Sequence, residues 1–144
     1  RRPPRSTQGV SSAASDVYKR QVEYIKEAGE KKFAIIDAGM NDLIRPSLYE
    51  AWHKVVEVDH QNTDLDLYDL AGPVCETGDV LAKDRDLKIM PGDHVAFMDV
   101  GAYGSVMTSN YNSRLRPIEL LVTKDKVQVI KRKESFEDIV ALET

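Results

Sequence analysis

Apolar and polar residues alternate in short runs along much of this chain, and the runs are broken by Gly, Pro, Asn and Asp. A period of two marks half-buried strands rather than helices. Phe33–Asp37 is an apolar run of β-formers bounded by charge and Gly, so it predicts a strand. The stretch before it, VEYIKEAGEKK, reads as extended or briefly helical, followed by a Gly-containing turn. KVVEV (54–58) and the strictly alternating TDLDLYDL (63–70) predict two more strands. His94–Val100 gives another after a Pro91–Gly92 turn, and RPIELLVTKDKVQVIKRK (116–133) reads as a hairpin about Lys124–Asp125. Between these, AGPVCETGDVLAKDRDL (71–87) reads as a loop, and so does the Gly-bounded stretch after Val100. Two short helices are expected. One covers about Pro46–Trp52, with Asn41 and Asp42 as capping types and Pro46 in the first turn. The other covers SFEDIVAL (135–142), with Ser135 as N-cap and Glu137 and Asp138 in the first turn. No repeat and no βαβ rhythm occurs, so the expected class is mainly β: a barrel or sandwich with one or two short helices.

Composition narrows this further. The 144 residues are 42% hydrophobic and 31% charged, which suits one globular domain. A domain of this size buries roughly two-thirds of its unfolded surface. No apolar run approaches the ~20 residues of a membrane helix. The single cysteine cannot form an internal disulfide, so nothing suggests an oxidising compartment. His53, His60 and His94 lack metal-type spacing, and no metal is expected. Net charge is −4, but residues 1–20 carry five basic side chains and one acid, leaving −8 on residues 21–144. An acidic body argues against nucleic-acid binding.

The basic head stands apart. RRPPRSTQGVSSAASDVYKRQ is rich in Ser, Pro and Arg and lacks the apolar core of a secretory signal. Its VSSAASDVYKRQ portion resembles a translated sequencing-library adapter. Residues 1–21 are therefore expected to be a non-native, disordered leader, with the folded body starting near Val22 and running to Thr144.

Three loops are richer in reactive groups than strand connectors need. In NDLIRPSLYEAWH, Arg45 and Tyr49 lie four apart and share a face on a helical turn. A guanidinium fork beside a phenol suits a carboxylate, and the same spacing suits a surface Arg packed over a Tyr. In GPVCETGD (72–79), the Cys75 thiol sits next to Glu76. A thiol can exchange a proton near neutral pH once its surroundings tune it, and a carboxylate can hold an ammonium group. The alternative is a turn with Cys75 as a small buried hydrophobe. In DVGAYGSVMTSNYNSRLRP, glycines around Ala102 and Tyr103 allow close backbone approach to a ligand. Tyr103, Asn110, Tyr111 and Asn112 add polar donors, in what is otherwise an Asn-rich turn.

Taken in order, DAGMNDLIRPSLYEAWH, GPVCETGD, GAYGSVMTSNYNSR and RPIELLV, with the closing SFEDIVALE, resemble the C-terminal domain of the diaminopimelate decarboxylase family. The resemblance runs from Val22 to the C-terminus. It implies a pyridoxal 5'-phosphate enzyme with an alanine-racemase-like (β/α)₈ barrel that carries the Schiff-base lysine, followed by a β domain. This chain resembles the β domain only; its lysines match none of the barrel motifs, so the fragment alone is expected to be inactive. By position, the resemblance implies that Arg45 and Tyr49 grip the substrate's distal carboxylate and that Glu76 recognises its distal amino group. Cys75 would protonate the carbon left by carbon dioxide, and Tyr103 would lie near the cofactor phosphate and the substrate. It further implies a cytoplasmic homodimer with composite active sites, converting meso-diaminopimelate to L-lysine in the last step of lysine biosynthesis. Two positions depart from the family pattern: Thr77 replaces the usual Ser, and Leu115 replaces a commoner Pro.

Two other readings compete. An ornithine, arginine or carboxynorspermidine decarboxylase shares the fold group, but such a site has no distal carboxylate for Arg45 and Tyr49 to grip. A stand-alone β module that binds a ligand without catalysis would leave the site loops without their cofactor.

Overall fold

In β2 (Lys31–Ile36) Ala34 and Ile36 are fully buried while Ile35 between them is not, the burial expected of a strand with one face on a core. The computed structural model describes residues 16–58 and 64–144. Around β2 lie β1 (Tyr18–Ala28), β3 (Val55–Glu57), β4 (Asp66–Ala71), β5 (Val80–Leu87) and β6 (His94–Phe97). They form a six-stranded sheet in the order β3-β6-β1-β2-β4-β5. All pairs are antiparallel except β2 with β4, which run parallel. The sheet curls until its edges approach, and the Lys88 amide donates to Glu57 Oε1 at 2.8 Å near that closure. Phe97, Ile36, Leu43, Leu70, Leu87, Val22 and Val95 fill the interior. The mainly β expectation holds.

Several details differ from the sequence reading. β1 begins at Tyr18, four residues before the expected start at Val22. Tyr18–Gln21 pair with β6, and Tyr18 packs partly buried on the core. An aromatic ring and long polar stems can cover a sheet edge without an apolar run in the sequence. The rest of the expected leader, residues 1–15, lies outside the described residues, as does His60.

The expected loop over 71–87 is also half strand. Leu81, Ala82 and Leu87 of β5 are buried against β4, but a register shift near Leu70 and the left-handed Asp84 (φ 53°) disrupt the alternation that would have revealed them. Conversely, the strand expected through Val100 stops at Phe97, because Asp99 (φ 57°) leaves the extended region. The stretch after it is not all loop: α2 spans Ala102–Val106.

α1 covers Arg45–Tyr49, shorter than the expected Pro46–Trp52, and ends at the left-handed Glu50 (φ 52°). Its N-cap is Ile44, not Asn41 or Asp42, which are buried instead. Just beyond, Trp52 is 68% exposed with the Arg85 guanidinium over its ring at 4.8 Å.

The predicted hairpin forms as β7 (Glu119–Val122) and β8 (Val127–Lys131) in a sheet of their own. Leu120, Leu121, Val122, Val127, Val129 and Ile130 are all exposed, on both faces. The closing helix α3 (Phe136–Val140) has the expected Ser135 cap as a full capping box with Asp138. No helix among the described residues is long and apolar enough to cross a membrane.

Candidate functional site

Three chain segments meet at one end of the sheet. Asp79, the residue just before β5, is the knot. It is buried, and its Oδ1 accepts from the Met40 amide at 2.5 Å while its Oδ2 accepts from the Val74 amide at 2.6 Å. Its own backbone closes the 72–79 loop: the Gly72 amide donates to the Asp79 carbonyl at 2.9 Å, and the Asp79 amide to the Glu76 carbonyl at 3.0 Å. Burial pushes the Asp79 carboxyl up; the two amides and the Arg114 charge pull it back. Glycine is needed alongside, since a Cβ at Gly72 would lie 2.4 Å from both Asp79 Oδ2 and the Ala38 carbonyl. One carboxylate thus ties the segment leading into α1 to the loop bearing Cys75 and Glu76.

A second buried carboxylate, Asp42, holds the neighbouring turn. It accepts from the Gly39 amide at 3.1 Å and pairs with Arg114 at 3.8 Å. Arg114 also donates to the Asp37 carbonyl at 2.8 Å, and the Ser109 amide donates to the Asn41 carbonyl at 2.9 Å. The loop after α2 is thereby fixed to the loop before α1. Ser47 of α1 donates to the Gly78 carbonyl, which sets α1 against the Cys–Glu loop.

On this floor stand the side chains singled out from the sequence. Arg45 and Tyr49 do share a face, with the guanidinium 5.6 Å from the Tyr49 ring centre. The same guanidinium lies 5.5 Å from the Tyr103 ring, so α2 brings its tyrosine to α1. Both are cation–π contacts. Among the described residues Arg45 has no carboxylate partner, although the chain is acidic. Tyr49 and Tyr103 are 59% and 62% exposed, so their phenols face open space. Cys75 is free and exposed, which removes the buried-hydrophobe alternative. Glu76 beside it accepts a hydrogen bond from the Tyr111 hydroxyl at 2.6 Å.

Sequence reasoning missed the floor. In the sequence Asp42 has the pattern of a cap, Asp79 that of a loop residue, and Tyr111 is one polar donor among several. Two glycines seven residues before and one before Asp79 hinted at crowding, but no pattern said that a carboxylate caused it. Among the described residues no group of three or more His, Cys, Asp and Glu could hold a metal.

At this end the loops of a mainly β domain bring together a cation with no acid partner among the described residues, a carboxylate and a thiol, groups able to bind a small polar molecule. The model of the pyridoxal-dependent decarboxylase C-terminal sheet domain, shared by ornithine, diaminopimelate and arginine decarboxylases, matches residues 15–101, more than half of the chain, and the chain belongs to that family. It is 48% identical over 132 residues to the diaminopimelate decarboxylase of Pseudomonas aeruginosa, and 46% over 134 residues to that of Haemophilus influenzae. Each alignment covers 92% of this chain and 32% of the relative. The crystal structure of diaminopimelate decarboxylase from Helicobacter pylori complexed with L-lysine superposes with a TM-score of 0.84 at 44% identity, again over 92% of this chain and 32% of that one. The chain therefore spans about a third of the length of these relatives.

Proposed function

We propose that this chain is the C-terminal β domain of a pyridoxal 5'-phosphate-dependent decarboxylase that converts meso-2,6-diaminopimelate to L-lysine and carbon dioxide. The observation that carries the reading is Arg45: a half-buried guanidinium between two tyrosine rings, with no acid partner among the described residues, on the rim that also bears Glu76. A substrate with an amino-acid group at each end needs a cation for its far carboxylate and an anion for its far ammonium.

The roles follow from what each group can offer. The Arg45 fork donates two parallel N–H bonds to the distal carboxylate, and the Tyr49 hydroxyl adds a third. Glu76 accepts from the distal ammonium. Cys75 Sγ delivers a proton to the carbon that has lost carbon dioxide. When bound, the cofactor supplies the electron sink for that carbon–carbon cleavage. Within this chain Tyr103 fits the group, since its exposed phenol has no hydrogen-bond partner among the described residues and stands beside Arg45. The Schiff-base lysine belongs to a barrel domain outside residues 22–144, and in a homodimer the Cys75–Glu76 loop completes the partner's site. The exposed apolar residues of β7 and β8 are consistent with a domain that is covered in the whole protein.

The test is an assay of the full-length protein, loaded with pyridoxal phosphate, on meso-diaminopimelate and on L-ornithine. Lysine and carbon dioxide from the first, with ornithine a poor substrate, is the expected result. Preference for ornithine would assign the domain to the rival decarboxylases. Turnover of neither substrate by a cofactor-loaded protein would favour a ligand-binding module.

A further inference from the structure

The turn that carries Tyr111 is built more firmly than a surface loop requires. Asn112 and Ser113 both lie in the left-handed region, at φ 55° each. Asparagine tolerates that conformation, but serine pays a steric cost that surrounding contacts must offset. Those contacts are present on both sides of the turn. Asn110 Nδ2 donates to the Arg114 carbonyl at 3.0 Å and to Glu134 Oε2 at 2.5 Å. Arg114 in turn donates to the Asp37 carbonyl at 2.8 Å. The result is a fixed stem whose tip, Tyr111, reaches a residue 35 positions earlier in the chain and donates its hydroxyl to Glu76 Oε1 at 2.6 Å.

That bond leaves Glu76 half used. Tyr111 occupies Oε1, and no described residue donates to Oε2. Glu76 sits on a loop whose backbone is already tied down by Asp79, so its side-chain torsions are the freedom that remains. A phenol that donates to one carboxylate oxygen restrains those torsions and keeps the charge on the carboxylate; the same contact raises the Tyr111 phenol above its ordinary range, so it stays a donor at neutral pH.

We propose that Tyr111 is a positioning residue for amine recognition: it holds Glu76 so that Oε2 faces the distal ammonium of the substrate, and thereby sets discrimination in favour of substrates that carry a second amino group. The proposal rests on the reading of Glu76 given above. Tyr111 touches Glu76 rather than the reacting atoms, so its loss acts on selectivity through that carboxylate.

The experiment is a double-mutant cycle in the full-length, cofactor-loaded enzyme, with Tyr111→Phe, Glu76→Gln and the pair. The readout is the ratio of kcat/KM for meso-diaminopimelate to that for 2-aminopimelate, which lacks the distal amino group. Tyr111→Phe should narrow this ratio about threefold to tenfold, the range for one ordinary hydrogen bond, because the site is partly exposed. In the Glu76→Gln background the same change should have no further effect on the ratio. Cofactor absorbance and melting temperature check that each variant is folded, and Tyr111→Leu, which also removes the hydroxyl donor, replaces the Phe variant if it is not. A Tyr111 effect that is equal on both substrates, or that persists without Glu76, overturns the proposal. If Glu76→Gln itself leaves the ratio unchanged while activity on diaminopimelate remains, the assignment of Glu76 is wrong and the Tyr111 proposal falls with it.

Discussion

The floor and the rim of the site use the same chemical groups in opposite ways. On the floor, Asp79 and Asp42 are 2% and 4% exposed; Asp79 accepts the Met40 and Val74 amides, and Asp42 accepts the Gly39 amide of its own turn. On the rim, Glu76 and Cys75 are exposed, and Arg45 meets the Tyr49 and Tyr103 rings and, among the described residues, no carboxylate. Burial makes a carboxylate a fastener, because an amide left without its acceptor there is costly. Exposure leaves a charge free to bind something that arrives later. The floor spends its hydrogen-bonding capacity on geometry, and the rim keeps its own in reserve.

The difference can be broken first at the rim. On the function proposed above, Arg45→Ala in the full-length protein should weaken binding of diaminopimelate by about 3–5 kcal/mol if the closed site desolvates the distal carboxylate. Steady-state kinetics and calorimetric binding check this, and near-normal affinity would remove Arg45 from the site. Next, Cys75→Ala should lower kcat about a hundredfold or more, the lower end of what a placed proton donor contributes, with a much smaller change in KM. A kcat within a few-fold of the parent would show that another group delivers the proton.

Changes at the floor should read out as stability. Asp79→Asn keeps the size of the side chain but offers one acceptor oxygen where two amides need one each. We expect a loss of about 1–3 kcal/mol in a denaturant or thermal melt, the cost of one unpaired buried amide. An unchanged melting temperature would mean that Met40 or Val74 finds another acceptor.

The smallest expected effect is with pH. Burial raises the folded-state carboxyl of Asp79 above its unfolded value, so this group favours the folded state most in acid, and its contribution is lost as pH rises through the folded value. Glu119 has the opposite sign. The Ser105 hydroxyl and Lys131 hold it below the usual carboxylate range, so its contribution is present above the unfolded value, about 4, and is lost as pH falls through the folded one. Asp138 behaves like Glu119, held down by Arg132 and the Ser135 amide. Acidification should therefore loosen the β7–β8 hairpin and α3 before it loosens the 72–79 loop. Amide hydrogen exchange at pH 7 and at about pH 2, below the unfolded carboxylate values, resolves the order, and uniform loosening would contradict it.

The same contrast explains what the sequence disclosed. Rim residues were legible because reactive types cluster there: a lone Cys next to Glu, and Arg four residues before Tyr. β2, β3 and the hairpin were legible from short runs of β-formers. β5 was not, since its register shift and the turn at Asp84 break the period of two, and its Lys83, Asp84, Arg85 and Asp86 look like a loop. The roles of Asp79 and Asp42 were hidden for a different reason. An aspartate near glycines has the appearance of a turn residue, and only the tertiary meeting of two loops gives it buried amides to accept from.

Trp52 gives this domain its own optical reporter. It is the single tryptophan in the chain, it stands three residues beyond Tyr49, and most of its surface is open apart from the overlying Arg85. An indole in water emits at long wavelength, and one covered by protein emits at shorter wavelength. When another part of the protein settles over the face that α1 presents, the colour of one residue will report it, with no label and no substrate needed.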